Sequence, residues 1–180
     1  MKHINLNPMN PPLNWQDKLP DELPQGWGER AAVLCQAQSL TAALRALGGS
    51  FTVKVLYMGE LDGQGNSFGE NHAETAAPQF VRDVLLHLDG VPVVQARSAC
   101  SPQSQAWRGV LDCGPPPLGE RLFDGTLPLK RSAFEFCLME NVGGQDDFRR
   151  PVAARRSYFD WDGEVLELTE YFLAGLAQFV

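Results

Sequence analysis

Two ionisable residues stand where a β-strand calls for apolar ones. In residues 81–88, Arg82, Val84, Leu86 and Leu88 fall on one face of a strand, because side chains alternate across the pleat. That face is apolar except for Arg82. In residues 164–173, Leu166, Leu168, Glu170 and Phe172 share a face that is apolar except for Glu170. A charge left unpaired inside an apolar layer costs several kcal/mol, so each demands a partner or a ligand. An arginine takes a carboxylate through two parallel N–H donors. A desolvated glutamate can hold or release a proton near neutral pH. Together they predict a box for a small organic anion. A structural reading competes with this. A two-residue turn at Asp162-Gly163 sets Glu170 opposite Arg155, where the two could close an ordinary cross-strand ion pair at the sheet rim. A turn at Asp89-Gly90 likewise sets Arg82 opposite Arg97. Arg97 reads first as structural, although two arginines on one cavity would suit a dianion.

The elements that must position these residues are two hairpins. Asp-Gly between apolar runs is a strong hairpin signal, because both turn positions need positive φ. Residues 81–88 run into Asp89-Gly90 and out through 91–100. Residues 155–161 run into Asp162-Gly163 and out through 164–173. Residues 51–58 and 132–140 read as further strands. Residues 29–47 read as helical, with Leu40, Leu44 and Leu47 at helical spacing. Gly48-Gly49 stops the run, and a break near Gln38-Ser39 lets Ser39 cap a second helix. Residues 1–28 are loop-rich, interrupted by five prolines. Residues 59–78 form a long glycine-containing loop of the kind that often serves as a lid. Residues 114–124 form a proline-glycine segment, and 141–151 a polar loop. The expected fold is α+β: one domain over 1–180, with a single largely antiparallel sheet of about six strands. Helices lie mainly on the N-terminal side and cover one face.

Composition excludes several classes of function. The net charge is −7, from 22 acidic and 15 basic residues, which disfavours nucleic acid and anionic membrane surfaces. The four cysteines and three histidines have no metal-ligand or redox spacing, so no metal is expected. Scattered cysteines and the absence of a leader or an apolar span point to a reduced, cytoplasmic chain with no stable membrane insertion. The glycines at 59, 63, 65 and 69 precede no lysine-serine or helix start and form no phosphate loop. Ser98 and Ser101 lack a nucleophile-elbow context. His87 reads as a surface or satisfied core histidine.

On these residues the chain resembles the chorismate lyase family. The resemblance spans roughly residues 30 to 175 and rests on an ordered set of segments. Val81-Arg82-Asp83-Val84-Leu85-Leu86, Asp89-Gly90 and Ala96-Arg97-Ser98 resemble the family's arginine-bearing hairpin. Pro117-Leu118-Gly119 with Leu122-Phe123 is similar to its Pro-Leu-Gly segment. Arg155-Arg156-Ser157, Gly163 and Leu168-Thr169-Glu170-Tyr171-Phe172 are similar to its C-terminal hairpin. The resemblance implies an enzyme that eliminates pyruvate from chorismate to give 4-hydroxybenzoate, a step toward ubiquinone. It implies a monomer that needs no cofactor, with two flaps closing an internal ligand cavity. By position, Arg82 would bind the ring carboxylate, the Leu118 amide would help hold it, and Glu170 would face the ring hydroxyl. Leu40, where members can carry Met, would contribute a flap contact. Product held this way is expected to leave slowly and to inhibit. Two departures stand out: the loop between 140 and 153 is longer, and residues 1–28 match poorly. The alternative is a non-catalytic domain of the same fold that binds a small aromatic acid, like the effector domains of transcription regulators.

Overall fold

The computed structural model describes residues 13–62, 77–112, 114, 116–139 and 148–180. Two-thirds of the expected long loop, residues 63–76, lies outside them, as do residues 1–12 and most of the polar loop, 140–147.

Both Asp-Gly turns form as the dipeptides dictate. Asp89 and Gly90 have φ of 48° and 79°, Asp162 and Gly163 of 51° and 89°. The Asp89 carboxylate accepts the Ser50 amide at 2.7 Å, which ties this turn to the chain just ahead of β1 (Phe51–Leu61). The other strands are β2 (Gln79–Leu88), β3 (Val91–Cys100), β4 (Lys130–Arg131), β5 (Glu135–Leu138), β6 (Pro151–Trp161) and β7 (Glu164–Leu173). They make one seven-stranded antiparallel sheet in the order β1-β2-β3-β7-β6-β4, with β5 also on β6. The two hairpins meet at β3 and β7, which pair Ala96 with Glu170 and Ser98 with Leu168. Arg82 on β2 and Glu170 on β7, 88 positions apart in the chain, therefore stand on one face on either side of β3.

Helices α1 (Glu29–Cys35) and α2 (Leu40–Ala46) are separated at the expected break. The Ser39 hydroxyl caps α2 by accepting the Ala42 amide. Two further helices were not expected: α3 (Gln105–Leu111) and α4 (Leu118–Phe123). Ser104 caps α3, and Trp107, Val110 and Leu111 recur at helical spacing and are buried. In α4, Leu118 and Leu122 are four apart and buried. Each helix is one or two turns long, so the apolar seal under it, rather than propensity, holds it in place. The core joins Leu34, Leu40, Leu44, Trp107, Leu111, Leu118 and Leu122 to the sheet face of Val84, Leu86, Leu166, Leu168 and Phe172. Helices thus cover one face, but half of them come from mid-chain rather than the N-terminal side. The strand expected over 132–140 is confined to β5, and β1 runs three residues beyond its expected end.

One pairing differs from the expected register. Leu88 faces Val91 and His87 faces Pro92, but Leu86 faces Val94, so β3 carries a bulge at Val93. Pro92 has no N–H to give the ladder, and an extra residue beside it absorbs the mismatch. Beyond the bulge every β3 side chain changes face. Arg82 therefore faces Ser98, not Arg97, and Asp83 faces Arg97.

Candidate active site

The inner face of the sheet encloses a cavity roofed by α2 and α4. Its walls include Arg82, Val84, Ala96, Ser98, Leu168 and Glu170 from the sheet, Leu40 and Thr41 from α2, and Leu118, Gly119 and Phe123 from α4. Arg82 and Glu170, which strand alternation isolated, and Leu40 and Leu118, which the resemblance implied, all line this one space. Arg82 is 2% exposed and Glu170 7%. The void is small, about 40 Å³. One water needs roughly 10–15 Å³ and small-ligand sites run from about 300 Å³, so a ring can enter only if a wall moves.

Arg82 reaches the chain ahead of α4. Its Nη2 donates to the carbonyls of Gly114 at 2.8 Å and Pro116 at 3.3 Å. Its Nε is buried with no hydrogen-bond partner among the described residues. A buried guanidinium with a donor to spare is an anion site in waiting, because an unmade charged hydrogen bond is costly. Leu118 begins α4, where a backbone N–H has no acceptor within the helix.

Glu170 is held by Arg155, its cross-strand neighbour. Arg155 Nε donates to Glu170 Oε2 at 2.6 Å. This ion pair is the one the turn geometry offered, but its setting is the core and not the rim: the two side chains are 0% and 9% exposed. Arg155 Nη1 also donates to the carbonyls of Cys35, the last residue of α1, and Ala37 in the α1–α2 connector. Its guanidinium lies 4.3 Å from the Phe134 ring centroid. The connector leads straight into Ser39 and Leu40, so one arginine ties the site carboxylate to the base of the roof. Thr41 and Gly119 close the seam between α2 and α4. A Cβ on Gly119 would lie 2.8 Å from Thr41 Oγ1.

Arg97 does not reach this cavity. It lies on the opposite face, bonded twice to Asp83 (Nε to Oδ1 and Nη2 to Oδ2, both 2.8 Å). The expectation that Arg97 could face the same cavity as Arg82 fails because of the bulge at Val93. The opposite face is not simply solvated either, since Val81, Asp83, Leu85, Thr169 and Tyr171 are buried.

Sequence reasoning missed Arg131. From β4 its Nε donates to Ser157 Oγ at 3.0 Å and its Nη1 to the Gln38 carbonyl at 2.6 Å. Its guanidinium lies among the rings of Phe123, Phe134 and Phe159. Burial pulls its pKa down to about 10, with Glu170 acting to raise it and Arg155 to lower it. A two-residue strand carries no periodicity, so no sequence signal placed this residue. Cys35, beneath Arg155, is buried, and desolvation pushes its thiol up to about 12. Ser98 also lines the cavity, as a buried wall residue of β3. Among the described residues no cluster of His, Cys, Asp or Glu could hold a metal ion. No helix among them is long and apolar enough to cross a membrane.

Fold and site together define a class: an α+β domain whose sheet and short helices enclose a small cavity with an arginine at one end and a buried glutamate-arginine pair at the other. The chain belongs to the chorismate lyase family, whose model matches residues 18–178. A probable chorismate pyruvate-lyase of Ralstonia nicotianae is 33% identical over 181 residues, covering 92% of this chain and 91% of that protein. A probable chorismate pyruvate-lyase of Shewanella amazonensis is 32% identical, covering 91% and 86%. Two solved structures show weak likeness. The C-terminal domain of the histidine utilization repressor from Pseudomonas syringae has a TM-score of 0.43 at 14% identity, covering 69% of this chain and 92% of that one. The effector domain of PhnF from Mycobacterium smegmatis has a TM-score of 0.45 at 15% identity, covering 75% and 88%. Likeness of that degree decides nothing about function.

Proposed function

We propose that this chain is a cytoplasmic, monomeric, cofactor-independent lyase that converts chorismate to 4-hydroxybenzoate and pyruvate, a step toward ubiquinone. The observation that carries this reading is the meeting of Arg82 and Glu170, both buried, on one cavity whose other walls are mostly apolar. Arg82 binds the ring carboxylate through its unpartnered Nε, assisted by the Leu118 amide. Arg155 holds Glu170 Oε2 and so aims the carboxylate at the ring hydroxyl. Leu40 and Leu118 press the ring from the roof.

The chemistry asks little more of the protein than position and dryness. The ether C–O bond to the ring breaks, and its electron pair leaves with the enolpyruvyl oxygen. The hydrogen on the hydroxyl-bearing carbon departs as a proton, and the ring becomes aromatic. Enolpyruvate takes a proton at its methylene carbon and becomes pyruvate, so atoms and charge balance. Aromatisation supplies the driving force, and Glu170 fixes the hydroxyl-bearing carbon beside the leaving group. The void is smaller than either ring, so entry and exit require the roof to move. Product release is then governed by roof opening, and product inhibits.

The test is incubation of purified protein with chorismate, reading pyruvate and the aromatic acid together. Equal amounts of both are expected. Glu170→Gln should lower kcat, and Arg82→Ala should weaken substrate binding by about 1.5–3 kcal/mol, the range for a charged hydrogen bond. Tight 4-hydroxybenzoate binding without pyruvate release would identify a binding-only domain and overturn the enzymatic reading.

A further inference from the structure

We infer that Arg131 is a specificity residue: behind Phe123 it forms a second anion subsite that selects dicarboxylates over monocarboxylates. This deepens the proposed function and rests on the assignment of Arg82 and Glu170 as the two ends of the site. Chorismate carries a second carboxylate on its enolpyruvyl ether, attached beside the hydroxyl-bearing carbon. With the ring acid on Arg82 and the hydroxyl on Glu170, that second carboxylate must lie at the Glu170 end.

The charges at that end fit such a group. Arg82 and Glu170 line the cavity, and behind its walls Arg155 pairs with Glu170 and Arg131 packs on Phe123, so among the described residues three guanidiniums meet one buried carboxylate. The excess is two positive charges, which a dianion cancels and a monoanion does not. Arg97, the cation that turn geometry offered for this role, sits on the other face in a bidentate pair with Asp83. Arg155 is fully buried; its Nε and Nη1 serve Glu170, Cys35 and Ala37, and its Nη2, like that of Arg131, has no partner among the described residues. Arg131 differs in its screen. Its Nη2 is buried without a partner. Phe123, a wall of the cavity, packs its ring against it, with the ring centroid 5.2 Å from the guanidinium carbon.

Phe123 is also the wall best able to move. It ends α4 and is 39% exposed, whereas Arg82, Glu170, Leu40, Leu118 and Leu168 are all buried. The void cannot hold a ring as it stands, so a wall must yield. Displacing Phe123 both enlarges the space and uncovers Arg131 Nη2. Substrate binding then exchanges a cation–π contact for a charge-assisted hydrogen bond.

The experiment measures dissociation constants by calorimetry for two ligands: 3-(carboxymethoxy)-4-hydroxybenzoate, a diacid, and 3-methoxy-4-hydroxybenzoate, its monoacid counterpart. Wild type, Arg131→Gln and Arg131→Lys are compared. Wild type should prefer the diacid by at least about tenfold, the low end for a charged hydrogen bond. Arg131→Gln should erase that preference while changing monoacid affinity by less than about threefold, and Arg131→Lys should restore part of it. Equal affinity of wild type for the two acids overturns the subsite, even if neither variant folds. So does an equal loss of both ligands in Arg131→Gln, the mark of a purely structural role. Failure of wild type to bind the monoacid at all would instead refute the Arg82 assignment.

Discussion

Replacing Arg155 by Met tests whether the Glu170 pair belongs to the core or to the rim. Arg155 makes three short charged hydrogen bonds: to Glu170 Oε2 at 2.6 Å, to the Cys35 carbonyl at 2.8 Å and to the Ala37 carbonyl at 2.7 Å. Met keeps much of the apolar stem but leaves the Glu170 carboxylate buried with its pair removed. Losing one partner of a buried ion pair costs about 3–5 kcal/mol, whereas an exposed pair is worth about 0–1 kcal/mol. In a domain of this size each kcal/mol moves Tm by about 2–4 °C, so the expected fall is about 6–20 °C. The assay is urea and thermal unfolding of wild type, Arg155→Met, Glu170→Ala and the double variant. Removing both charges should cost less than the sum of the single losses, because neither is then stranded. Recovery should be incomplete, because the Cys35 and Ala37 carbonyls still lose their donor. A single loss under about 1 kcal/mol, or additivity within about 0.5 kcal/mol, would refute the buried-pair reasoning.

Three other outcomes follow from the same geometry. Product at one hundred times its Kd should raise stability by about 2.7 kcal/mol, and a melting scan showing no upward shift would count against the cavity as its site. Gly119→Ala puts a methyl 2.8 Å from Thr41 Oγ1 and should loosen the roof seam; overpacking of this kind costs about 1–3 kcal/mol, and a second substitution, Thr41→Ala, should relieve it. An unrelieved double variant would place the strain elsewhere. The thiols of Cys35 and Cys100, pushed up to about 12 and about 11 by burial, should resist alkylation in the native protein at pH 8. Their pKa values are raised on folding, so above about pH 9 the unfolded chain loses these protons first, and stability should fall as pH rises from there through 11 to 12. Urea midpoints that stay level from pH 8.5 to 10.5 would contradict that linkage.

Much of the scaffold was legible in local chemistry. Asp-Gly dipeptides require positive φ, so the two hairpins and their tips could be read directly. Ser39 before an apolar helical stripe marked the start of α2. The alternation that isolated Arg82 and Glu170 on apolar faces is a property of one strand at a time, and it marked both side chains before any contact was known. Glu170 opposite Arg155 followed from counting back through a regular turn. The same count failed at Arg82, because one bulged residue beside Pro92 exchanges the faces of β3 and sends Arg97 to Asp83.

What the chain alone determined, then, is whatever depends on neighbours a few positions away: turn type, face and cap. Tertiary structure decided which faces meet. It put β3 beside β7 and so joined Arg82 to Glu170 across 88 residues, and it turned a possible rim pair into a desolvated one by laying the α1–α2 connector over Arg155. It also set Arg131, on a strand too short to show any period, against the ring of Phe123, a wall of the cavity. Burial is a sum over distant segments, and no local pattern contains that sum.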